Sequence, residues 1–146
     1  GWRDLSWSLG GSAMFRRRNV DEGGDTSTYS VYGVLNPWRH NRNLPMTYQV
    51  EYDFGSFQRS SGQRTNQAAF YQELNWVAYN GVVVLLGHDW ADSDDEIIDD
   101  EDHRVQLGLQ VTPISGATLD SRFRVLLPAA GKAADSDIFI QLHLYH

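Results

Sequence analysis

Cysteine is absent from this chain of 146 residues, and lysine occurs once, at Lys132. Without cysteine the chain has no disulfide framework, no thiolate nucleophile and no Cys-based zinc site. The scarcity of lysine is unusual for a soluble sheet, whose solvated face is normally charged. Long apolar runs are missing too. The longest, residues 82–86, is far shorter than the roughly 20 residues that a membrane-spanning helix needs, so any membrane span must be a strand.

Basic stretches are also scarce. The formal net charge is -7, and the one dense basic segment is residues 16–18. A nucleic-acid interface needs a basic surface that neutralises a row of phosphates, so we expect no nucleic-acid partner. No shift in composition divides the chain, and residues 1–146 are predicted to form a single domain.

Apolar and polar residues alternate along most of the chain, which indicates β-strands whose successive side chains point to opposite faces. In residues 104–112, for example, Val105, Leu107 and Leu109 share one face, opposite Gln106 and Gln110. The same pattern, less regular near the amino terminus, predicts eight strands: residues 2–15, 28–35, 46–57, 68–77, 82–90, 104–112, 117–127 and 137–145. The chain is therefore predicted to be all-β.

The predicted connections alternate in length, as expected of an up-and-down antiparallel sheet. Residues 79–81 and 113–116 contain glycine and predict tight hairpin turns. Four longer polar loops follow the odd-numbered strands: residues 19–27, 59–65, 91–102 and 128–136. Residues 36–45 depart from this alternation, because they are longer than the other turns on their side.

Three features favour lipid over water as the environment of the apolar faces. The polar faces are rich in uncharged groups, including Gln49, Gln106 and Tyr71. The strands have the nine to eleven residues, roughly, that a tilted strand needs to cross a membrane. Aromatic residues, which prefer the membrane interface, collect near the strand ends: Trp2, Trp7, Trp38, Trp76, Tyr79, Trp90 and Tyr145. The fold is therefore predicted to be a transmembrane β-barrel of about eight strands.

The whole chain resembles the bacterial outer-membrane β-barrel superfamily, in the size class of its small eight-stranded members. Its last strand, IFIQLHLYH, is similar to the carboxy-terminal assembly signal of that family, although the family pattern ends on an aromatic residue and this chain ends on His146. Residues 71–90, YQELNWVAYNGVVVLLGHDW, also look like the closing strands of larger porin-like barrels. The resemblance implies a Gram-negative outer-membrane location among lipid and lipopolysaccharide. It implies a scaffold or porin-like role, with loops that contact a protein partner.

Charged residues on the polar faces are predicted to meet in the barrel interior. Strand counting places Glu51, Glu73 and Arg122 at similar heights, with Asp53, Arg104 and Arg124 nearby. The interior of an eight-stranded barrel is filled by side chains, and buried charges persist when they are paired. These residues would then form a structural plug or, alternatively, a proton or ion gate. In a larger barrel they would line an aqueous pore.

The most acidic segment is a candidate site for divalent ions. It contains Asp92, Asp94, Asp95, Asp99 and Asp100. Their carboxylates suit Ca²⁺, but the glycine and the ligand spacing of the EF-hand are absent. A solvated acidic loop is the alternative interpretation. Ile97 and Ile98 in its middle suggest contact with a partner, or with lipopolysaccharide through divalent ions.

Motifs of known catalytic or cofactor sites are absent. The chain has neither GxSxG nor HExxH, and its five histidines are spread over the sequence: His40, His88, His103, His143 and His146. A metal site would need histidines brought together by the fold. We therefore expect no enzymatic activity and no cofactor.

Two other functions remain open at this stage. One is a soluble calycin-like barrel that binds an apolar ligand, with Val105, Leu107 and Leu109 facing inward rather than toward lipid. The other is a part of a larger barrel that sheathes an electron-transfer or transport partner. In that case the isolated chain would not close, and its exposed strand edges would promote aggregation.

Overall fold

A computed structural model describes residues 7–16, 25–37, 44–58, 61–94, 96–97, 101–128 and 133–145. These residues form one sheet of eight antiparallel strands. The strands are β1 (Trp7–Arg16), β2 (Thr26–Leu35), β3 (Met46–Gln58), β4 (Arg64–Tyr79), β5 (Val82–Asp92), β6 (Asp102–Ile114), β7 (Ala117–Leu127) and β8 (Asp135–Leu144). No helix in this part of the chain is long and apolar enough to cross a membrane.

The strand order in the sheet is the order in the sequence. Each strand pairs with the next one along the chain, so the predicted all-β, up-and-down arrangement of eight strands is confirmed. The strands are also longer than predicted in places. β4 begins at Arg64 rather than at residue 68, because its pairing with β3 continues as far as Gln58. The predicted start of the first strand, residues 2–6, lies outside the described residues.

Two tight turns set the register of the sheet. Gly81 in the β4–β5 turn and Gly116 in the β6–β7 turn have φ angles of 76° and 91°, a conformation that glycine adopts without steric cost. The turns also bond to the neighbouring strands. The Thr112 amide donates to the Gly81 carbonyl oxygen at 2.7 Å, and the Tyr145 amide donates to that of Gly116 at 2.8 Å. The predicted hairpin turns are thus confirmed.

In this sheet the polar face is buried and the apolar face is exposed, which is the reverse of a sheet that folds in water. The inner face, which carries Glu73, Gln106 and Arg122, contains most of the buried residues, whereas the outer face, which carries Leu107 and Phe123, is largely exposed. Leu85, on the inner face, is the one buried hydrophobic residue among those described. The described part of the chain therefore has a polar interior rather than an ordinary apolar core.

The sheet is open along β1 and β8. Within the described residues, β1 pairs only with β2 and β8 pairs only with β7. The closed barrel that the sequence predicted is therefore not formed. Closure requires a tilt and stagger of the strands that bring the first and last strands into hydrogen-bonding contact, and β1 and β8 are not in such contact. Both strands are exposed along nearly their whole length.

Candidate functional site

The register brings polar residues from five strands into adjacent rows on the inner face. One row contains Gln49, Glu73, Gly87, Gln106 and Arg124, on β3 to β7 in that order. The next row contains Asn75, Leu85, Gly108 and Arg122. Around Glu73 these rows form the Glu73 cluster, which consists of Gln49, Glu73, Asn75, Gln106, Asp120 and Arg122.

Glu73 lies at the centre of the cluster and is only 4 % exposed. Its Oε1 accepts hydrogen bonds from Gln49 Nε2 at 3.3 Å and from Asn75 Nδ2 at 3.0 Å. Its Oε2 accepts from Gln106 Nε2 at 3.3 Å and from Arg122 Nη1 at 2.9 Å. A buried carboxylate is costly unless it is paired and hydrogen-bonded. These four donors, one of them charged, meet that requirement.

Two glycines make room for the long side chains that reach Glu73. Gly87 and Gly108 lie on β5 and β6, between β4 and β7. A Cβ atom added to Gly87 would lie 2.2 Å from Gln106 Nε2, and one added to Gly108 would lie 3.2 Å from Arg122 Cγ. Glycine inside a strand often marks such a close approach. Here it lets the side chains of Gln106 and Arg122 lie flat over the sheet.

The contact between Glu73 and Arg122 shows that the inner face is concave. β4 and β7 are three strand spacings apart, which is about 14 Å along a flat sheet at roughly 4.8 Å per spacing. Arg122 nevertheless bonds to Glu73 at 2.9 Å. The sheet therefore curves around the cluster, and Glu73 is buried within it.

Arg122 is held by a second carboxylate on its own strand. Its Nε and Nη2 atoms donate to the two carboxylate oxygens of Asp120, each at 3.2 Å. Such a two-pronged contact fixes both the position and the orientation of a guanidinium group. One arginine thus joins two carboxylates, and the arrangement holds the curved part of the sheet together.

The other predicted interior charges lie in separate contacts. Arg124 donates to both carboxylate oxygens of Asp137 on β8, at 2.6 and 2.9 Å. Arg104 lies 3.7 Å from Asp89 on β5. Glu51 accepts a hydrogen bond from Ser30 at 2.6 Å. Asp53 is in register with the same Ser30, on the β2 side of the sheet. Of the six predicted residues, the structure joins Glu73 with Arg122 directly.

Four members of the Glu73 cluster were not among the predicted site residues: Gln49, Asn75, Gln106 and Asp120. Asp120 had a signal in the sequence, because it precedes Arg122 by two positions and so shares its face. The three amides had no such signal. A neutral side chain shows no charge complementarity, and its partners depend on the curvature of the sheet.

The acidic segment between β5 and β6 is only partly described. Asp92 and Asp94 accept hydrogen bonds from backbone amides two residues further on, at 3.0 and 3.2 Å, as aspartates commonly do in turns. Asp95, Asp99 and Asp100 lie outside the described residues. In the part of the chain that is described, no group of three or more His, Asp or Glu residues is placed to hold a metal ion.

No family model, no curated protein and no solved structure matches this chain. A function can therefore be inferred only from the features of the chain itself. These are the buried polar face, the open edges along β1 and β8, and the hydrogen-bonded Glu73 cluster.

Proposed function

We propose that this chain forms the wall of a bacterial outer-membrane β-barrel, with its outer face in lipid and its inner face toward the barrel interior. The observation that carries this proposal is the contrast between two neighbouring residues of β6. Gln106 is 6 % exposed, whereas Leu107 is 56 % exposed. A sheet that folds in water buries its apolar face. Here the polar residue is buried and the apolar one is left outside.

The exposed apolar surface is larger than soluble proteins usually leave in contact with water. It covers neighbouring positions on four adjacent strands: Leu86, Val105, Leu107, Leu109, Leu119, Phe123, Ile138, Ile140 and Leu142. Soluble monomers rarely expose contiguous apolar patches of more than a few hundred Å². Each buried Å² of such surface is worth about 25 cal/mol. Hydrocarbon would supply this stabilisation without any further protein.

Strand lengths and aromatic positions fit the same environment. The shortest of the eight strands has 10 residues, and a tilted strand needs roughly 9 to 11 to cross the hydrocarbon. Trp7 begins β1, Tyr79 ends β4 and Tyr145 follows β8, at positions suited to the interfacial aromatic girdle. Trp2 and Trp38, which were predicted for the same girdle, lie outside the described residues.

A soluble calycin-like barrel receives no support from this arrangement. Its ligand pocket would be lined by Val105, Leu107 and Leu109, and all three are exposed on the outer face. The residues of the inner face are instead those of the Glu73 cluster, which are bonded to one another. Such a face offers polar groups to a ligand.

The open edges favour a role as part of a larger porin-like barrel. β1 and β8 run in opposite directions, because the sheet is antiparallel and has an even number of strands. Further strands could therefore pair with both edges and keep the polar face on the same side. Unpaired edges otherwise promote aggregation. In a wider barrel the inner face would line a pore or sheath a partner, and the long loops would meet lipopolysaccharide or protein.

Heat-modifiable migration on a gel tests the membrane proposal. The folded protein is compared before and after boiling, once with detergent and once without it. We expect a chain that needs detergent. A shift in mobility on boiling would indicate that it closes by itself, and the absence of a shift in detergent would indicate a part of a larger barrel. A chain that remains soluble and monomeric without detergent, and whose mobility does not shift, would contradict the proposal.

A further inference from the structure

Two histidines from adjacent strands meet on the outer face. His88 lies on β5 and His103 on β6, where His103 is two residues from Val105, the register partner of His88. The His88 Nε2 and His103 Nδ1 atoms are 3.2 Å apart, and the rings are stacked with an interplanar angle of 21°. Both residues are half-buried. The pair could not be predicted from the sequence, because 14 residues separate the two histidines.

We propose that His88 and His103 bind a transition-metal ion such as Zn²⁺. Imidazole nitrogens suit Zn²⁺, Cu²⁺ and Ni²⁺. Two nitrogens bound to one tetrahedral zinc at about 2.0 Å are roughly 3.3 Å apart, close to the 3.2 Å separation of this pair. The ion would replace the proton between the two nitrogens, which His88 then carries on Nδ1, after the rings turn so that both lone pairs point to the ion.

Neighbouring side chains orient the ring of His88 through hydrogen bonds. Gln72 Nε2 lies 3.2 Å from His88 Nδ1, and Tyr48 donates its hydroxyl hydrogen to Gln72 Oε1 at 2.8 Å. When Nε2 of His88 binds an ion, its Nδ1 carries a proton and needs an acceptor. Gln72 becomes that acceptor when its amide turns over, and Nε2 of Gln72 then donates to the hydroxyl oxygen of Tyr48. The ring is oriented in both states.

The expected affinity is that of a two-histidine chelate. His103 is the second residue of β6, so the pair lies near the loop end of the strands, where water can complete the coordination of the ion. The described residues contain no cluster of three His, Asp or Glu ligands. Glu101 is two residues before His103, but its Oε2 accepts a hydrogen bond from Trp90 Nε1 at 3.4 Å. Because protons compete with metal for imidazole nitrogens, binding weakens as the pH falls.

Calorimetric titration of the folded protein with Zn²⁺ alone tests the site. We expect one-to-one binding in the wild type and its loss, by more than about tenfold in affinity, in His88→Gln and in His103→Gln, because removing even a partner of a ligand costs that much. His143→Gln is the matched control, since His143 lies on β8 and should leave binding unchanged. Gln72→Leu should weaken binding while both ligands remain.

Two further measurements keep the test decisive. Titration with Mg²⁺, which prefers oxygen ligands, detects binding by the acidic segment instead. If the histidine variants fail to fold, chemical acylation of the wild-type histidines replaces them. Zn²⁺ should then protect His88 and His103 but not His143. Absence of Zn²⁺ binding by the wild type, equal binding by the His88→Gln and His103→Gln variants, or unchanged acylation of the pair would overturn the proposal. None of these outcomes depends on the membrane proposal.

Discussion

Arg122 on β7 donates a hydrogen bond to Glu73 on β4 at 2.9 Å, across the two strands that lie between them. Such a contact exists only because the sheet is curved and because glycine occupies position 108, over which the arginine passes. It therefore reports on the shape of the sheet and on the polarity of its interior at the same time. Variants of this pair should reveal how much the interior contributes to stability.

The change Arg122→Met should lower the free energy of unfolding by about 3 kcal/mol, as expected when one partner of a buried ion pair is removed. It leaves the carboxylates of Glu73 and Asp120 without their cation. Urea unfolding of the folded protein measures the effect. Adding Glu73→Gln to this variant should restore part of the loss, because the buried negative charge is then removed.

Arg124→Met is the matched control for that experiment. Arg124 lies on the same strand, and its partner Asp137 is more than half exposed, so solvent screens the pair. We expect a clearly smaller effect than that of Arg122→Met. Equal effects of the two substitutions would show that the Glu73 cluster is no more important than a surface contact.

Gly87→Ala should destabilise the sheet by about 1 to 3 kcal/mol, the usual cost of overpacking. Its new Cβ would lie 2.2 Å from Gln106 Nε2, so that Gln106 must move away from Glu73. Gly33→Ala on β2 is the control, because its Cβ would meet Val50 Cγ2 at an ordinary 3.6 Å. Urea unfolding compares the two variants. If the Gly87→Ala variant were as stable as Gly33→Ala, Gly87 would not be needed to leave room for the side chain of Gln106.

Strand positions and faces could be predicted from the sequence because both depend on a period of two. The alternation around Leu107 requires only that the backbone be extended. The tight turns could be predicted equally well, since glycine at positions 81 and 116 marks them. Counting strand positions also placed Glu73 and Arg122 at similar heights, because register follows from the turns, although their contact depends on the curvature of the sheet as well.

Contacts that depend on curvature or on long loops could not be predicted in this way. Gln106 reaches Glu73 because the sheet is curved and because the side chain of Gln106 passes over Gly87. Alternation carries no information about curvature. His88 and His103 meet through the β5–β6 register, although a polar loop separates them in the sequence. Barrel closure is a similar case. The pattern within each strand does not determine whether β8 meets β1, and the two do not pair within the described part of the chain.

Leu107→Arg should cost about 2 to 4 kcal/mol if the outer face is in lipid, because a charge then lies near the bilayer midplane. The control is Leu127→Arg, at the end of β7, where the expected cost is about 0 to 1 kcal/mol. The two leucines are 56 % and 48 % exposed, so in water both changes would be mild. Unfolding in lipid vesicles compares them. Equal costs would argue against a lipid-facing outer face.

Thiol labelling can distinguish a wide, water-filled barrel from a narrow, packed one. The chain has no cysteine, so single cysteines can be placed at neighbouring residues of β8 that point to opposite faces. Gln141→Cys lies on the inner face, opposite Asp120 in the register, and Leu142→Cys lies on the outer face, opposite Leu119. The measured quantity is the rate of reaction with a water-soluble thiol reagent in lipid vesicles.

In a larger barrel we expect Gln141→Cys to react quickly and Leu142→Cys slowly, because one faces water inside the barrel and the other faces hydrocarbon. In a closed barrel of eight strands both should react slowly, since side chains fill an interior of that size. Fast reaction of Leu142→Cys would mean that the outer face meets water, and the membrane proposal would then fail. Denatured samples of both variants should react equally fast, which checks that the reagent itself does not discriminate between the two sites.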